Sequence, residues 1–201
     1  GYLPLVIDVT QYLKMNDKNV VTVWADNSNE PNYPPGKAQD VLDFTYFGGI
    51  YRDVWLYGTN SIFITDPNEE DKIAGGGVLV AYENVSKQSA DILLKTDVKN
   101  LSDSSFKGKV VYELFDKENR LVATSISVIN LSKGKSRQTN EIRMKIMKPH
   151  LWYPSTPYLY NLIVKIVNNQ GTIQDGYRQR LGIRSIEFRG KKRFVSQWQT
   201  L

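Results

Sequence analysis

The segment from Asp43 to Asp53 holds the residues of this chain whose types and spacing best suit a binding site. An acidic side chain, Asp43, stands beside four aromatic residues: Phe44, Tyr46, Phe47 and Tyr51. A carboxylate accepts hydrogen bonds from hydroxyl groups, and an aromatic ring packs against an apolar face of C–H groups. A sugar offers both, so Asp43 and these rings would suit a sugar. From the residues alone we favour the alternative, in which the aromatic rings fill a protein core and Asp43 caps a turn.

The remaining side chains argue against catalysis and against a metal site within this chain. There is no cysteine, which excludes disulfides and thiolate metal ligands. His150 is the one histidine, and we expect it in a loop or at the surface, without a catalytic role. Three glutamates, Glu113, Glu118 and Glu141, fall on predicted strand faces or turns, so we assign no catalytic residue and no metal ligand.

Charge and hydropathy argue against nucleic acid and membrane partners. The net charge is +5, but the basic residues are scattered among predicted strands and turns and form no stripe. We interpret the cluster Arg189–Arg193 as the solvated end of the chain. No apolar run approaches the roughly 20 residues that cross a bilayer. Acidic residues dominate 1–66 and basic residues dominate 67–201, which suggests a domain boundary near Asp66-Pro67.

The elements that must position these residues are strands. From Gly76 onward, strand patterns alternate with turn-rich clusters. Along one predicted strand, Ile92, Leu94, Thr96 and Val98 should face a core while Lys95, Asp97 and Lys99 face away. Recurrent short strands over some 110–120 residues are typical of an immunoglobulin-like β-sandwich. The predicted strands are Gly77–Asn84, Ala90–Lys99, Gly108–Phe115, Leu121–Leu131, Gln138–Met147, Tyr158–Asn168 and Thr172–Phe188.

The first third of the chain is also predicted to be β. Val20–Ala25, Val54–Tyr57 and Ile62–Thr65 have the β-branched or alternating pattern of short strands. Between them, residues 27–40 contain three prolines and little apolar periodicity, which predicts a long loop.

Two segments together carry a family resemblance. Asp43–Leu56 reads DFTYFGGIYRDVWL, and Leu151–Tyr160 reads LWYPSTPYLY. They resemble the non-catalytic front part of glycoside hydrolase family 2, and the closing RLGIRSIE of Arg180–Glu187 resembles the family's last strand before its catalytic barrel. The resemblance implies an all-β fold, a partial jelly-roll β-sandwich followed by an immunoglobulin-like β-sandwich. It places the end of a sugar-binding jelly roll in 1–66, the immunoglobulin-like domain in 67–188 and a tail in 189–201.

The same resemblance implies roles for particular residues. Asp43 would contact the sugar of the substrate and, in some family members, a monovalent cation. The loop Asn27–Lys37 would either line the sugar pocket or pack beneath the barrel, its candidate lining residues being Trp24, Tyr33, Pro34 and Pro35. Arg52 and Asp53 would form an internal ion pair. Trp152 and Tyr160 would fill the core of the sandwich.

The predicted function is that of a non-catalytic fragment of a retaining glycosidase whose barrel and catalytic glutamates lie outside this chain. The form GGIYRDV favours a β-galactosidase, with a carbohydrate as substrate. A β-glucuronidase fragment and a stand-alone carbohydrate-binding or scaffold module are the alternatives. A cysteine-free sandwich suits oxidising and reducing compartments alike, so periplasm and cytoplasm both stay open.

Apolar residues in 1–66 predict association. A half jelly roll leaves unpaired strand edges and an uncovered apolar face. We expect residues 1–66 either to pair with a second copy, giving a homo-oligomer, or to fold back on the second domain, and we favour self-pairing. The apolar residues concerned are Val6, Val21, Val23, Ile50, Val54 and Leu56.

Overall fold

The structure is a computed structural model that describes residues 4–34, 36–44, 47–70, 72–73, 75–189, 193–196 and 199–200, with side chains up to residue 186. The chain divides into two compact units, Gly1–Gly58 and Thr59–Leu201. This division comes earlier in the chain than the charge break at Asp66-Pro67. Ile62–Ile64, which falls before that break, pairs with a strand of the second unit.

The first unit contains two single-turn 3-10 helices, Thr10–Tyr12 and Gln39–Val41, and no strand among its described residues. The predicted strands at Val20–Ala25 and Val54–Tyr57 are therefore wrong. A strand is stable only when its backbone groups bond to a neighbour, and the described part of this unit supplies no such neighbour to either segment.

The regular structure of the second unit is entirely β among the described residues. Its strands are β1 Ile62–Ile64, β2 Val78–Glu83, β3 Ser89–Asn100, β4 Phe106–Phe115, β5 Leu121–Leu131, β6 Ser136–Met147, β7 Tyr160–Asn168, β8 Ile173–Leu181, β9 Ile186–Arg189, β10 Arg193–Ser196 and β11 Gln199–Thr200. The all-β class is confirmed, and the strands predicted after Gly76 are found with small shifts of their ends. The long strand predicted over Thr172–Phe188 is interrupted between β8 and β9.

Two antiparallel sheets form the sandwich. In one sheet β3 is central, with β6 along one edge and β1 and β2 in succession along the other. The other sheet has the order β5-β4-β7-β8. Alternate residues of both sheets point inward and form one apolar core, which includes Leu94, Val110, Tyr112, Leu114, Leu162 and Val164. This arrangement confirms the expected sandwich.

One of the two aromatic residues expected to fill the core lies nearer its edge. Tyr160 is buried as expected, whereas Trp152 is half-buried. The guanidinium carbon of Arg184 lies 4.8 Å from the centroid of the Trp152 ring. Trp152 therefore closes the rim of the sandwich instead of filling its centre.

The region predicted to be a tail has structure in its described part. β9, β10 and β11 pair in sequence as an antiparallel meander. Gly190, Lys191 and Lys192 of the basic cluster lie outside the described residues. Within the part of the chain that the structure describes, no helix has both the length and the apolar composition to span a membrane.

Candidate functional site

Asp43 follows the 3-10 helix Gln39–Val41 and is exposed. Its side chain accepts no hydrogen bond from the described residues. Of the aromatic residues predicted to surround it, Phe44, Phe47 and Tyr51 are exposed, Phe47 by 80%. Tyr46 lies outside the described residues. The three described rings do not fill a core in this unit, so the acid and its aromatic neighbours remain accessible to a ligand.

A glycine pair turns the chain after these aromatics. Gly49 has φ +85°, a conformation that glycine adopts without steric cost. A Cβ on Gly48 would come within 2.7 Å of the Asn27 side chain. Because Gly48 lacks that atom, the Asp43–Asp53 segment can approach the start of the proline-rich loop.

The loop Asn27–Lys37 is held by its own polar side chains. Glu30 accepts hydrogen bonds from the backbone N–H and the side-chain amide of Asn32, at 3.0 and 2.8 Å. The amide oxygen of Asn29 accepts a bond from the backbone of Gln39 at 3.2 Å, which ties the loop to the helix before Asp43. Three predicted lining residues, Trp24, Tyr33 and Pro34, are exposed, and Pro35 lies outside the described residues.

The predicted ion pair between Arg52 and Asp53 is not formed. Among the described residues no salt bridge joins the two side chains, and the Arg52 guanidinium carbon instead lies 5.4 Å from the centroid of the Tyr51 ring. A cation over an aromatic face is a favourable contact, and it turns the Arg52 side chain towards the residue before it.

In the second unit, the Leu151–Tyr160 segment packs against the end of β8. The backbone N–H of Trp152 donates to the carbonyl of Ile183 at 2.9 Å. His150 is exposed and stacks on Tyr158, with ring centroids 4.6 Å apart. Its backbone N–H donates to the Tyr160 hydroxyl at 2.8 Å. These contacts place His150 at the surface, as predicted.

The glutamates considered for catalysis are each paired with a cation. Glu113 accepts from Lys165 at 2.6 Å, Glu118 from Arg120 at 3.1 Å, and Glu141 lies 3.0 Å from Lys95. These contacts make each of the three glutamates part of a structural ion pair.

A buried polar cluster, which the sequence did not reveal, lies on the outer face of β3. Asp97 is only 2% exposed, and it accepts hydrogen bonds from Thr65 at 2.8 Å, from Arg137 at 2.6 Å and from Thr139 at 3.0 Å. Glu70 binds both Arg137 and Lys99. The members of this cluster come from distant parts of the chain. In the sequence, only the polar faces of β3 and β6 hint at the cluster.

This Asp97 cluster borders a cavity of about 250 Å³ that is also lined by Lys72, Ile73, Gly75 and Leu79. The carboxylates of Asp97 and Glu70 both accept hydrogen bonds from the Arg137 guanidinium. The cluster therefore anchors the connection between β1 and β2 and offers the cavity few unused polar groups.

A second ionic group lies further along the same sheet. The side-chain amide of Asn84 donates to Asp91 at 2.8 Å, and Arg143 donates to the same carboxylate at 3.0 Å. The hydrogen bond from Asn84 is the main reason why the pKa of Asp91 lies below its usual value, with a smaller contribution from Arg143. Burial raises the pKa of the phenols of Tyr82, Tyr112 and Tyr160.

Comparison with known proteins identifies the family. The sequence model of glycosyl hydrolases family 2 matches residues 78–184, more than half of the chain. The chain belongs to glycosyl hydrolase family 2. The matched range runs from β2 to just beyond β8, so it is the immunoglobulin-like sandwich that carries the family's sequence pattern.

Individual relatives in family 2 extend the likeness to the whole chain. A β-galactosidase of Thermoanaerobacter pseudethanolicus is 31% identical over 202 residues, which cover 100% of this chain and 24% of that protein. A β-glucuronidase of Formosa agariphila is 29% identical, covering 94% of this chain and 19% of that protein. The chain thus spans about a quarter or less of the length of these relatives.

A solved structure supports the fold. The β-glucuronidase 2 of Bacteroides uniformis, covalently bound to cyclophellitol-6-carboxylate aziridine, superposes with a TM-score of 0.79 at 24% identity. The likeness covers 95% of this chain and 22% of that one. At this level of identity it establishes the fold of this family 2 chain and nothing about its ligand.

Proposed function

We propose that this family 2 chain is a non-catalytic part of a retaining β-galactosidase and that it helps to shape the sugar site. The observation that carries the proposal is the exposure of Asp43 together with Phe44 and Phe47. A carboxylate next to uncovered aromatic rings supplies both kinds of contact that a sugar needs. The catalytic glutamates and their barrel lie outside this chain.

The proposal has three further parts. The Asp43 carboxylate binds the sugar, and in the full-length enzyme it also binds a monovalent cation, since a small hard cation prefers oxygen ligands. The immunoglobulin-like sandwich supports the barrel. The full-length enzyme is a homo-oligomer whose ligand is a carbohydrate.

The likeness to the Thermoanaerobacter β-galactosidase over the whole chain supports the choice of substrate. A β-glucuronidase is the second candidate, because the Formosa relative with that name is nearly as similar. The two sugars differ at C6, which is a hydroxymethyl group in a galactoside and a carboxylate in a glucuronide, and in the configuration of the C4 hydroxyl.

The test is a comparison of kcat/KM on matched substrates. The full-length enzyme is assayed with nitrophenyl β-galactoside and nitrophenyl β-glucuronide under identical conditions. We expect a clear preference for the galactoside. A preference for the glucuronide would transfer the proposal to the second candidate, and hydrolysis of neither would remove both and leave a carbohydrate-binding or scaffold module.

A further inference from the structure

Two asparagines at the start of the proline-rich loop contact the chain on either side of Asp43. The side-chain oxygen of Asn29 accepts a hydrogen bond from the backbone N–H of Gln39 at 3.2 Å. The side chain of Asn27 lies against Gly48, where a Cβ would come within 2.7 Å of its amide carbon. Gln39 is four residues before Asp43 and Gly48 is five residues after it, so the two contacts bracket the acid.

The spacing of the two asparagines brings the ends of this segment together. Asn27 and Asn29 are two residues apart, so their Cα atoms are at most about 7 Å from each other. A fully extended chain from Gln39 to Gly48 would span on the order of 30 Å, yet both of its ends contact this one short stretch. Surface loops whose ends are close together are frequently functional. Here the residue near the middle of the loop is Asp43.

The two contacts matter because no core holds the Asp43 segment. Among the described residues between Gln39 and Gly48, none is buried. Phe44 is 52% exposed and Phe47 is 80% exposed. Since little of the segment is packed, its conformation depends on the contacts at its two ends.

The stretch that carries the asparagines is held by hydrogen bonds of its own. The backbone N–H of Ser28 donates to the Asp26 carboxylate at 2.8 Å. The backbone N–H of Tyr33 donates to the carbonyl of Glu30 at 3.1 Å, and that of Gly36 donates to the carbonyl of Tyr33 at 2.6 Å. The loop therefore has a defined conformation, and its asparagines can hold another segment in place.

We propose that Asn27 and Asn29 are positioning residues that fix Asp43 in the sugar site. The inference rests on the proposed function, because it gives the asparagines a role only through Asp43. A side chain in a binding site works only when its supporting contacts hold it to within about 0.5 Å of the productive geometry. Asn29 fixes the chain before Asp43, and Asn27 fixes the chain after it, in the space that Gly48 leaves open.

The Asn29 contact is tested in the full-length enzyme through kcat/KM on nitrophenyl β-galactoside. Asn29→Ala removes the acceptor of the Gln39 N–H, and we expect kcat/KM to fall about tenfold, since a misplaced group slows the reaction. Asn29→Asp keeps an oxygen acceptor and should return kcat/KM to near the wild-type value. Asn32→Ala is the matched control, because the Asn32 side chain bonds to Glu30 within the loop at 2.8 Å.

The Asn27 contact is tested by the addition of one methyl group. In Gly48→Ala the new Cβ overlaps the Asn27 amide and displaces the segment, so we expect kcat/KM to fall by about the same tenfold factor. Gly58→Ala is the control, since a Cβ at Gly58 has no atom within 4 Å, and it should behave like the wild type. Asn27→Ala removes the overlapping amide, so Gly48→Ala should cause no further loss in that background.

Combination with Asp43→Ala separates a positioning role from a merely structural one. Because the contacts act through Asp43, Asn29→Ala and Gly48→Ala should lower kcat/KM no further once the carboxylate is gone. A loss by the same factor with and without Asp43 overturns the inference alone, and so does an enzyme that Asp43→Ala impairs but these two substitutions do not. An Asp43→Ala enzyme with unchanged kcat/KM overturns the proposed function and this inference together.

Discussion

Arg137 Nε donates to Asp97 Oδ1 at 2.6 Å, although Asp97 lies buried on the face of β3 that points away from the apolar core. Hydrogen bonds from Thr65 and Thr139 occupy further positions on the same carboxylate. A buried charge is tolerated when a partner and hydrogen bonds replace its hydration. These hydrogen bonds therefore hold the connection between β1 and β2 against the sandwich.

Removal of Arg137 should leave the Asp97 charge buried without its main partner. We expect Arg137→Ala to lower the free energy of unfolding by about 3–5 kcal/mol, the usual cost of breaking a buried pair from one side. Urea denaturation monitored by circular dichroism measures the change. Lys95→Ala is the control, because its exposed pair with Glu141 should contribute at most about 1 kcal/mol. Equal losses in the two variants would contradict this account of the cluster.

The hydrogen bond from Asn84 to Asp91 predicts how the stability of the fold changes with pH in the acid range. The pKa of Asp91 is lower in the folded state than in the unfolded state, where it is about 3.9. The ionised carboxylate therefore stabilises the fold above the unfolded pKa, and this stabilisation is lost as the pH falls through the folded pKa. Asn84→Gly removes the amide donor while keeping the backbone, whose φ is +50° at this position. We expect the pKa of Asp91 to rise in this variant and its loss of stability in acid to become smaller.

NMR titration of the Asp91 side chain and urea denaturation across the acid range measure these two effects. Asn119→Gly is a suitable control, since Asn119 has a similar φ of +61° but does not bond to Asp91. An unchanged Asp91 pKa in Asn84→Gly would show that another group sets its value.

Gly182 is expected to be sensitive to a single added methyl group. A Cβ at this position would lie 2.8 Å from the Trp152 ring, whereas at Gly176 the nearest atom is 3.8 Å away. We expect Gly182→Ala to cost about 1–3 kcal/mol through overpacking and to shift the tryptophan fluorescence. Gly176→Ala should change neither property appreciably. A fully stable Gly182→Ala protein would mean that the Trp152 ring moves aside freely.

The strands of the second unit could be predicted from the sequence better than the structure of the first unit, for a physical reason. In the second unit, apolar alternation and turn-rich clusters agreed, and the predicted Leu121–Leu131 is the observed β5. The same alternation at Val20–Ala25 formed no strand, because a pattern shows which segment suits a strand but not whether a neighbour is present. The break after β8 arises where Ile183 bonds to Trp152, a contact that sequence spacing does not encode.

The candidate sugar site and the Asp97 cluster could also be predicted only in part from the sequence. The exposure of Phe44 and Phe47 beside Asp43 agrees with an accessible binding segment, and whether Asp43 binds a sugar stays a prediction. The prediction of an Arg52–Asp53 ion pair was wrong, because adjacency in sequence does not decide which neighbour a guanidinium contacts. The Asp97 cluster was missed, since its partners come from residues 65, 70, 137 and 139 and meet only after folding.

The chain by itself should not hydrolyse glycosides. Glu113, Glu118 and Glu141 are each engaged in an ion pair with a lysine or arginine, whereas glycoside hydrolysis needs two carboxyl groups that flank the scissile bond. Incubation of the pure chain with nitrophenyl β-galactoside should release no nitrophenol above the buffer control. Activity that disappears when one of these three glutamates is changed to glutamine would show that the chain carries its own catalytic acid.

The central claim is that Asp43 belongs to the sugar site of a longer family 2 enzyme. The most direct test is kcat/KM of that enzyme on nitrophenyl β-galactoside for Asp43→Ala, with Asp53→Ala as the control on the same segment, and with sodium and potassium each varied. We predict a loss of about 100-fold or more for Asp43→Ala, since a misplaced substrate reacts far more slowly, and loss of any dependence on the cation. Asp53→Ala should remain close to the wild type. A kcat/KM for Asp43→Ala equal to that of the wild type would contradict the account.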